Sequence, residues 1–344
     1  MERHGAAHTA LRDHQRFSRG RAGARRVVTA ATKRLLVTLS LVGVCAVWGG
    51  TFVMVKDAVS GYPLYAFLGW RFAIAVMAFM VLFPGTFRRF APGTIRIGLL
   101  AGVFLIAGYV FQTWGLQGTT ASKAAFITGM FVVITPAMQA VVLRRPPQMT
   151  TILGVVLAVV GLWLLSGANA DGWTPGDTRV LLCAIAYSAH MIVLGGPGRQ
   201  HDARALTLVQ LAVTGLACGA VSLAAERPYV WPTSDVWVAL VVTGVLASAV
   251  AFAVQTYAQR ILSPAKTALV LIMEPVFGGI FGWMAGDALG IKGIAGGALI
   301  FCGMLTAEFL GSARGPSEHI QLEAALEGPS VAVIESGPIE SGAE

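Results

Sequence analysis

The sequence predicts an all-α integral membrane protein whose ten transmembrane helices form two inverted five-helix repeats. Three observations carry that expectation. Hydrophobic residues make up 56% of the 344 and charged residues only 12%, a balance foreign to soluble domains. The apolar residues gather into ten stretches, near 35–56, 64–83, 96–117, 121–143, 150–168, 178–196, 205–224, 236–258, 264–286 and 290–311. Each approaches the ~20 residues with which a helix, its backbone satisfied from within, crosses ~30 Å of hydrocarbon. Residues also recur at a fixed offset: Trp48 with Tyr187, Arg71 with Gln210 and Pro136 with Pro275 are each 139 positions apart. Because five is odd, the second copy enters the bilayer from the opposite side.

Taken in order, residues 1–34 carry nine Lys or Arg against Glu2 and Asp13. They read as a basic arm without fixed structure, placed beside anionic lipid rather than nucleic acid. The first span exceeds the length of a cleaved signal and is read as a retained helix. Turn chemistry divides the later spans: SGYP, FPGTFRRFAPG, RRPPQ, GANADGWTPGD, GGPGRQHDAR and ERPYVWPTSD. The first repeat occupies 35–168 and the second 176–312; residues 313–344, with Glu318, Glu323, Glu327, Glu335, Glu340 and Glu344, read as an acidic disordered tail. Arg25, Arg26, Lys33 and Arg34, then Arg88, Arg89 and Arg96, Arg144 and Arg145, Arg199 and Arg204, and Arg260 fall in every second connection. Those connections are expected to be cytoplasmic, with both termini inside, in a cell membrane such as a bacterial plasma membrane. Arg179, Arg227 and Lys292 are the basic residues of the other set.

Cys45, Cys183, Cys218 and Cys302 all lie in spans without CxxC spacing and read as helix-packing residues, as do the glycines of GIAGG and GGALIFCG. Nothing in the pattern calls for a metal or a cofactor.

The segments AVWGGTFVMVKDAV, FLGWRFAIAVM, TTASKAAFITGMFVVITPAMQAVVL and SPAKTALVLIMEPVFGGIFGWMAGD resemble the EamA family of the drug/metabolite transporter (DMT) superfamily, over about residues 35–311. The resemblance implies ten helices in two inverted halves around a central cavity and the movement of metabolites or drugs, commonly outward. The halves part in one place. Gln112 pairs with Gln255 and Lys123 with Lys266 at an offset of 143, so four residues are extra before this block in the second half and missing after it. An offset near one helical turn preserves the facing of the side chains.

Ionisable groups at membrane depth are the strongest functional clue, since each costs at least about 2.5–3.5 kcal/mol to insert there. Arg71 lies within the second span and either pairs inside the bundle or faces the cavity. Lys123 and Lys266 open matching helices as SKAA and AKTA, where a cavity-facing ammonium would hold an anionic group and a snorkelling one would not. Glu274, opposite Thr135 in the first half, breaks the symmetry. A carboxyl near mid-bilayer suits proton coupling; an ion pair with Arg71 or Lys266 is the structural alternative. Trp48, Tyr187, Gln112 and Gln255 recur at matching depth and are expected along the substrate path. Pro136 and Pro275 free helix carbonyls and are candidate hinges. His190 reads as a packing group more readily than a proton relay, and Trp173, Trp231 and Trp237 as interface anchors.

The function expected is a secondary transporter, an exporter of a small organic metabolite or drug-like solute. It would work by alternating access, with a small-molecule substrate, the lipid bilayer and protons as partners, no nucleic acid, and a homodimer left open. No GxxxxGK[ST] loop is present to use nucleotide. The alternatives, an integral-membrane enzyme or a sensor without transport activity, find no HExxH, no acid cluster and no signalling domain.

Overall fold

The computed structural model describes residues 3–142, 144, 149–166, 172–262, 267 and 270–309, and every regular element among them is helical. Local chemistry sets the boundaries. Helix α1 (Arg3–Gly61) ends at a glycine, and α2 (Leu64–Leu82) follows Pro63. Gly93, at φ 84°, makes the left-handed turn into α3 (Thr94–Leu116), a conformation that side chains resist. The Thr120 hydroxyl accepts the Lys123 N–H to start α4 (Ala121–Gly129), and the chain continues as α5 (Phe131–Val142) and α6 (Met149–Ser166). Thr174 and Asp177 form a reciprocal capping box on α7 (Pro175–Gly195), with Pro175 in its first turn. Asp202 caps α8 (Ala203–Ala225) through the Arg204 and Ala205 N–H groups. Helix α9 (Ser234–Gly244) passes through a π-helical segment, Val245–Val250, into α10 (Ala251–Ile261); α11 (Met273–Met284) and α12 (Gly290–Phe309) complete the order.

Helix occupies each of the ten expected spans, and seven stretches are long and apolar enough to cross a membrane: Thr32–Gly61, Leu64–Leu82, Thr94–Leu116, Ala121–Val142, Pro175–Gln200, Ala203–Ala225 and Ser234–Ile261. Ile152–Leu165 and Gly290–Thr306 are shorter apolar helices. The chain is a multi-pass membrane protein, and its outer surface agrees: Val81, Leu216, Trp163 and Ile291 are each 73% exposed or more, which lipid tolerates and water does not.

Three local features depart from the expectation of plain rods. The fourth span is two helices, broken at Met130 by a tight turn in which the Met130 N–H reaches the Ile127 carbonyl at 3.1 Å. The eighth contains the π segment. The first runs back into the basic arm as far as Arg3, a stretch rich in the helix formers Ala and Arg and free of proline. The acidic tail, 313–344, lies outside the described residues.

Packing relies on small residues. Helix α6 lies against α12 so closely that a Cβ at Gly161 would stand 2.6 Å from the Gly296 carbonyl oxygen, and one at Gly296 would stand 2.6 Å from that of Gly161. Helix α2 packs on α8, α3 on α7 and α8, and α11 on α1 and α4. The two ends of the bundle are tied differently. At the end bearing the arginine-rich connections, Asp202 meets Arg89 at 3.4 Å and Arg260 at 3.9 Å, both arginines exposed. At the opposite end, Glu226 accepts the Tyr65 and Ala66 N–H groups that open α2, at 2.8 and 2.7 Å, and Asp287 accepts the Ser122 N–H of α4 at 2.8 Å.

Candidate functional site: a bipolar aromatic cavity

Midway along the bundle, α1, α2, α3, α5, α7, α10 and α11 enclose a cavity with about 50 Å³ open to the centre of a water molecule. At the ~10–15 Å³ a single water needs, it has room for about four. Its wall is mostly aromatic. The Trp48 and Phe252 rings lie 5.6 Å apart, and Tyr109 stands edge-on to Tyr187 at 5.8 Å. Such pairs add specific geometry to the burial they supply.

Two ionisable side chains, one basic and one acidic, face this ring of aromatics. Arg71, 3% exposed, donates from Nε to the Ser248 hydroxyl at 3.0 Å and from Nη2 to the Tyr109 hydroxyl at 3.1 Å. Its guanidinium carbon lies 4.5 Å from the Tyr109 ring centre. Among the described residues Nη1 has no hydrogen-bond partner and no carboxylate lies within ion-pair distance of the group. Glu274, 6% exposed at the start of α11, faces the same space without a hydrogen bond or ion pair to any described residue. Hydrogen bonds and a π-face offset part of the cost of burying the guanidinium; among the described residues nothing comparable offsets the carboxyl.

Neutral polar groups complete the wall. The Trp48 indole N–H donates to the Ala247 carbonyl at 2.7 Å, inside the π segment, where the helix ladder is displaced and a carbonyl becomes available. Gln210 donates its amide to Thr256, so its oxygen faces His190 Nε2 at 2.7 Å and leaves Nδ1 as the acceptor of that ring. The Gln255 amide nitrogen contacts the Met191 sulfur at 3.3 Å while its Oε1 is buried without a partner. Gln112 reaches Thr128 at 3.4 Å.

The structure thus brings Trp48, Tyr187, Arg71, Gln112, Gln255 and Glu274 to one cavity. Arg71 and Glu274 share it without pairing. Lys123 is elsewhere: its ammonium donates to Asp177 Oδ2 at 2.7 Å and to the Gly172 carbonyl at 3.0 Å, with side chains 2% and 0% exposed. The expectation of a cavity-facing ammonium overlooked Asp177, whose capping-box position in TPGD puts a carboxylate at the first turn of α7. Lys266 lies outside the described residues. Pro136 and Pro275 do not line the cavity; Pro275 packs where a Cβ on Gly129 would stand 2.8 Å from its ring.

Sequence reasoning left Thr51, Tyr109, Ser248 and Phe252 unassigned and read His190 as a packing group rather than part of the cavity wall. The repeat offsets contain most of the signal. Thr51 and His190 are 139 apart, as are Phe52 and Met191; Tyr109 and Phe252 are 143 apart, as are Gln112 and Gln255; all eight line the cavity. Ser248, 139 positions after Tyr109, reaches Arg71 from the π-helical segment, so the two hydrogen-bond partners of Arg71 are themselves related by the repeat offset.

Comparison with known proteins adds findings of three kinds. The family model described as the EamA-like transporter family matches residues 35–167 and again 174–307. An uncharacterized transporter of Archaeoglobus fulgidus is 30% identical over 249 residues, 72% of this chain and 78% of that one. The uncharacterized transporter YoaV of Bacillus subtilis is 24% identical over 297 residues, 81% of this chain and 98% of that one. A chloroplastic WAT1-related protein of Arabidopsis thaliana is 23% identical over 253 residues, 69% and 60% of the two chains. One solved structure, titled only as a crystal structure of a protein, shares the fold with a TM-score of 0.63 at 17% identity, covering 80% of this chain and 97% of its own.

Proposed function

We propose, from the premise that the chain belongs to the EamA-like transporter family and is a membrane transport protein rather than an enzyme, that it exports a small organic solute through its central cavity by alternating access. The observation that carries this reading is the cavity's pair of ionisable side chains, Arg71 and Glu274, neither of which is in an ion pair among the described residues. Arg71 offers Nη1 to an anionic group of the solute, fixed in direction by Ser248 and Tyr109, while Trp48, Tyr187 and Phe252 enclose the apolar part. Glu274 is the coupling group: protonated, it sits in the cavity neutral; ionised, it confronts Arg71 and competes with the solute for it.

Alternating access follows from two inverted repeats, 35–168 and 176–312, rocking about the cavity. The paired lining residues support that reading. Pro136 and Pro275 are the hinges, each beside a break in its span at Met130 and Ile272. The distribution of Lys and Arg orients the protein in a cell membrane with both termini in the cytoplasm.

The test is flux into liposomes containing only this protein, with a panel of radiolabelled solutes and with or without a pH gradient. Gradient-driven flux should disappear in Glu274→Gln while exchange of solute down its own gradient persists. Gradient-driven flux equal to the native protein's would remove Glu274 from coupling, and no flux of any solute would defeat the reading as a whole.

A further inference from the structure

The end of the bundle nearest Leu116 is shut by a fully buried ion pair. The sequence brings this about in short steps. Leu116, on the cavity wall, ends α3, and the turn Gln117–Thr120 delivers Lys123 into the first turn of α4. Facing it, Asp177 is third in α7, where its own capping box fixes the carboxylate. Oδ2 accepts from Lys123 Nζ at 2.7 Å and from the Thr174 N–H at 2.8 Å; Oδ1 accepts from the Thr119 hydroxyl. The Thr174 hydroxyl donates to the Gly118 carbonyl at 2.9 Å, and a Cβ on Gly176 would stand 2.7 Å from the Gly115 carbonyl oxygen. Backbone touches backbone there, and no space for water separates the α3–α4 turn from α7.

The opposite end has nothing equivalent among the described residues. Its cross-links, Arg89 and Arg260 on Asp202, are exposed and longer. Exposed pairs hold little, whereas a buried pair with every acceptor used resists separation of its partners.

We infer that Lys123 and Asp177 form a latch that keeps the cavity closed at the α3–α4 end, and that opening toward that side requires the ion pair to part. This rests on the transport reading above and assigns Lys123 to the gate rather than to the solute. A solute-binding lysine would face the cavity and lack an internal anion; Lys123 does neither. The cavity's other end, bounded by Met191, Gln255 and Leu271, has no buried ion pair among the described residues and is the side that opens while the latch holds.

The experiment needs no substrate. In full-length protein with Cys45, Cys183, Cys218 and Cys302 replaced by Ala, Leu116→Cys reports access to the cavity wall through its rate of reaction with a membrane-impermeant maleimide. The protein is held in liposomes and the reagent is added on the α3–α4 side. Lys123→Met and Asp177→Asn should each raise the rate about tenfold or more. The double variant should be no faster than the faster single one, because both remove one interaction. Unchanged rates in both single variants, or effects that multiply in the double, would overturn the latch. Asp177→Asn keeps an acceptor for the Thr174 cap and is the variant best able to fold if Lys123→Met does not. A second reporter, Ala158→Cys between α6 and α12, should stay unreactive in every variant; labelling there would mean general loosening and would also overturn it. Faster Leu116→Cys labelling in protein that moves no solute would leave the latch standing and defeat the transport reading instead.

Discussion

Replacing Gly161 or Gly296 by alanine sets two known effects against each other at the contact of α6 with α12. Alanine raises helix propensity by about 1 kcal/mol over glycine. At Gly161, however, the new Cβ would lie 2.6 Å from the Gly296 carbonyl oxygen and 2.7 Å from the Ile300 amide nitrogen. Ordinary contact begins near 3.4 Å, so the helices must separate by about 0.8 Å. That distance forfeits a quarter to a half of the dispersion energy along the seam, and overpacking of this kind typically costs 1–3 kcal/mol. The backbones also meet at Gly303, where a Cβ would be 2.6 Å from the Gly154 carbonyl oxygen, so local tilting gives no escape. A net loss is expected at either position. The double variant should cost less than the sum, since the first alanine has already moved the helices apart. Gly43, with nothing within 4 Å of its absent Cβ, is the control, and Gly43→Ala should leave stability unchanged or raise it. Thermal unfolding of detergent-purified protein, followed with a thiol-reactive dye that reports exposure of the buried Cys45, Cys183 and Cys218, measures all four variants. Midpoints for Gly161→Ala and Gly296→Ala at or above the native value, or losses that simply add, would refute the close-packed seam.

Two further perturbations probe the site and its frame. Arg71→Lys retains the charge but loses the planar donors to Ser248 and Tyr109; at about 1.5–3 kcal/mol for a charged hydrogen bond, half-saturating flux of an anionic solute should require at least tenfold more solute. An identical saturation curve would take Arg71 out of solute recognition. Glu226→Gln leaves one acceptor for the two N–H groups that open α2 and removes the charge at that helix N-terminus, so the unfolding midpoint should fall by the equivalent of about 1 kcal/mol. An unaltered midpoint would show that water serves α2 as well as the carboxylate does.

Much of this was legible before any coordinates. Hydropathy marked where the helices lie, because a bilayer allows a spanning chain few other forms, and the small residues of GIAGG and GGALIFCG forecast the close approach of the last helix. The offsets of 139 and 143 named Trp48, Tyr187, Arg71, Gln112 and Gln255 on the cavity wall, and the same offsets relate further lining residues that the sequence reading did not single out. Lys123 was harder to place. Its meaning depends on Asp177, fifty-four residues later, and ion-pair partners across such a distance leave no local pattern. The π segment was hidden for another reason: VLASAV has the composition of any apolar helix, and only the interval between Gln210 and Gln255, four residues longer than its counterpart in the first half, hinted that extra chain had to be absorbed.

The carboxylates at the latch end have a consequence for how the protein is made. Glu226, Asp177 and Asp287 all come from the later part of the chain, yet the groups they satisfy, the first N–H groups of α2, the Lys123 ammonium and the Ser122 N–H, belong to the earlier part. During synthesis the early helices therefore enter the bilayer with a bare helix start and an uncompensated ammonium. They remain so until α7, α8 and α11 arrive. The first 168 residues are on this view an unfinished object, and the second half of the chain supplies the acids that close it.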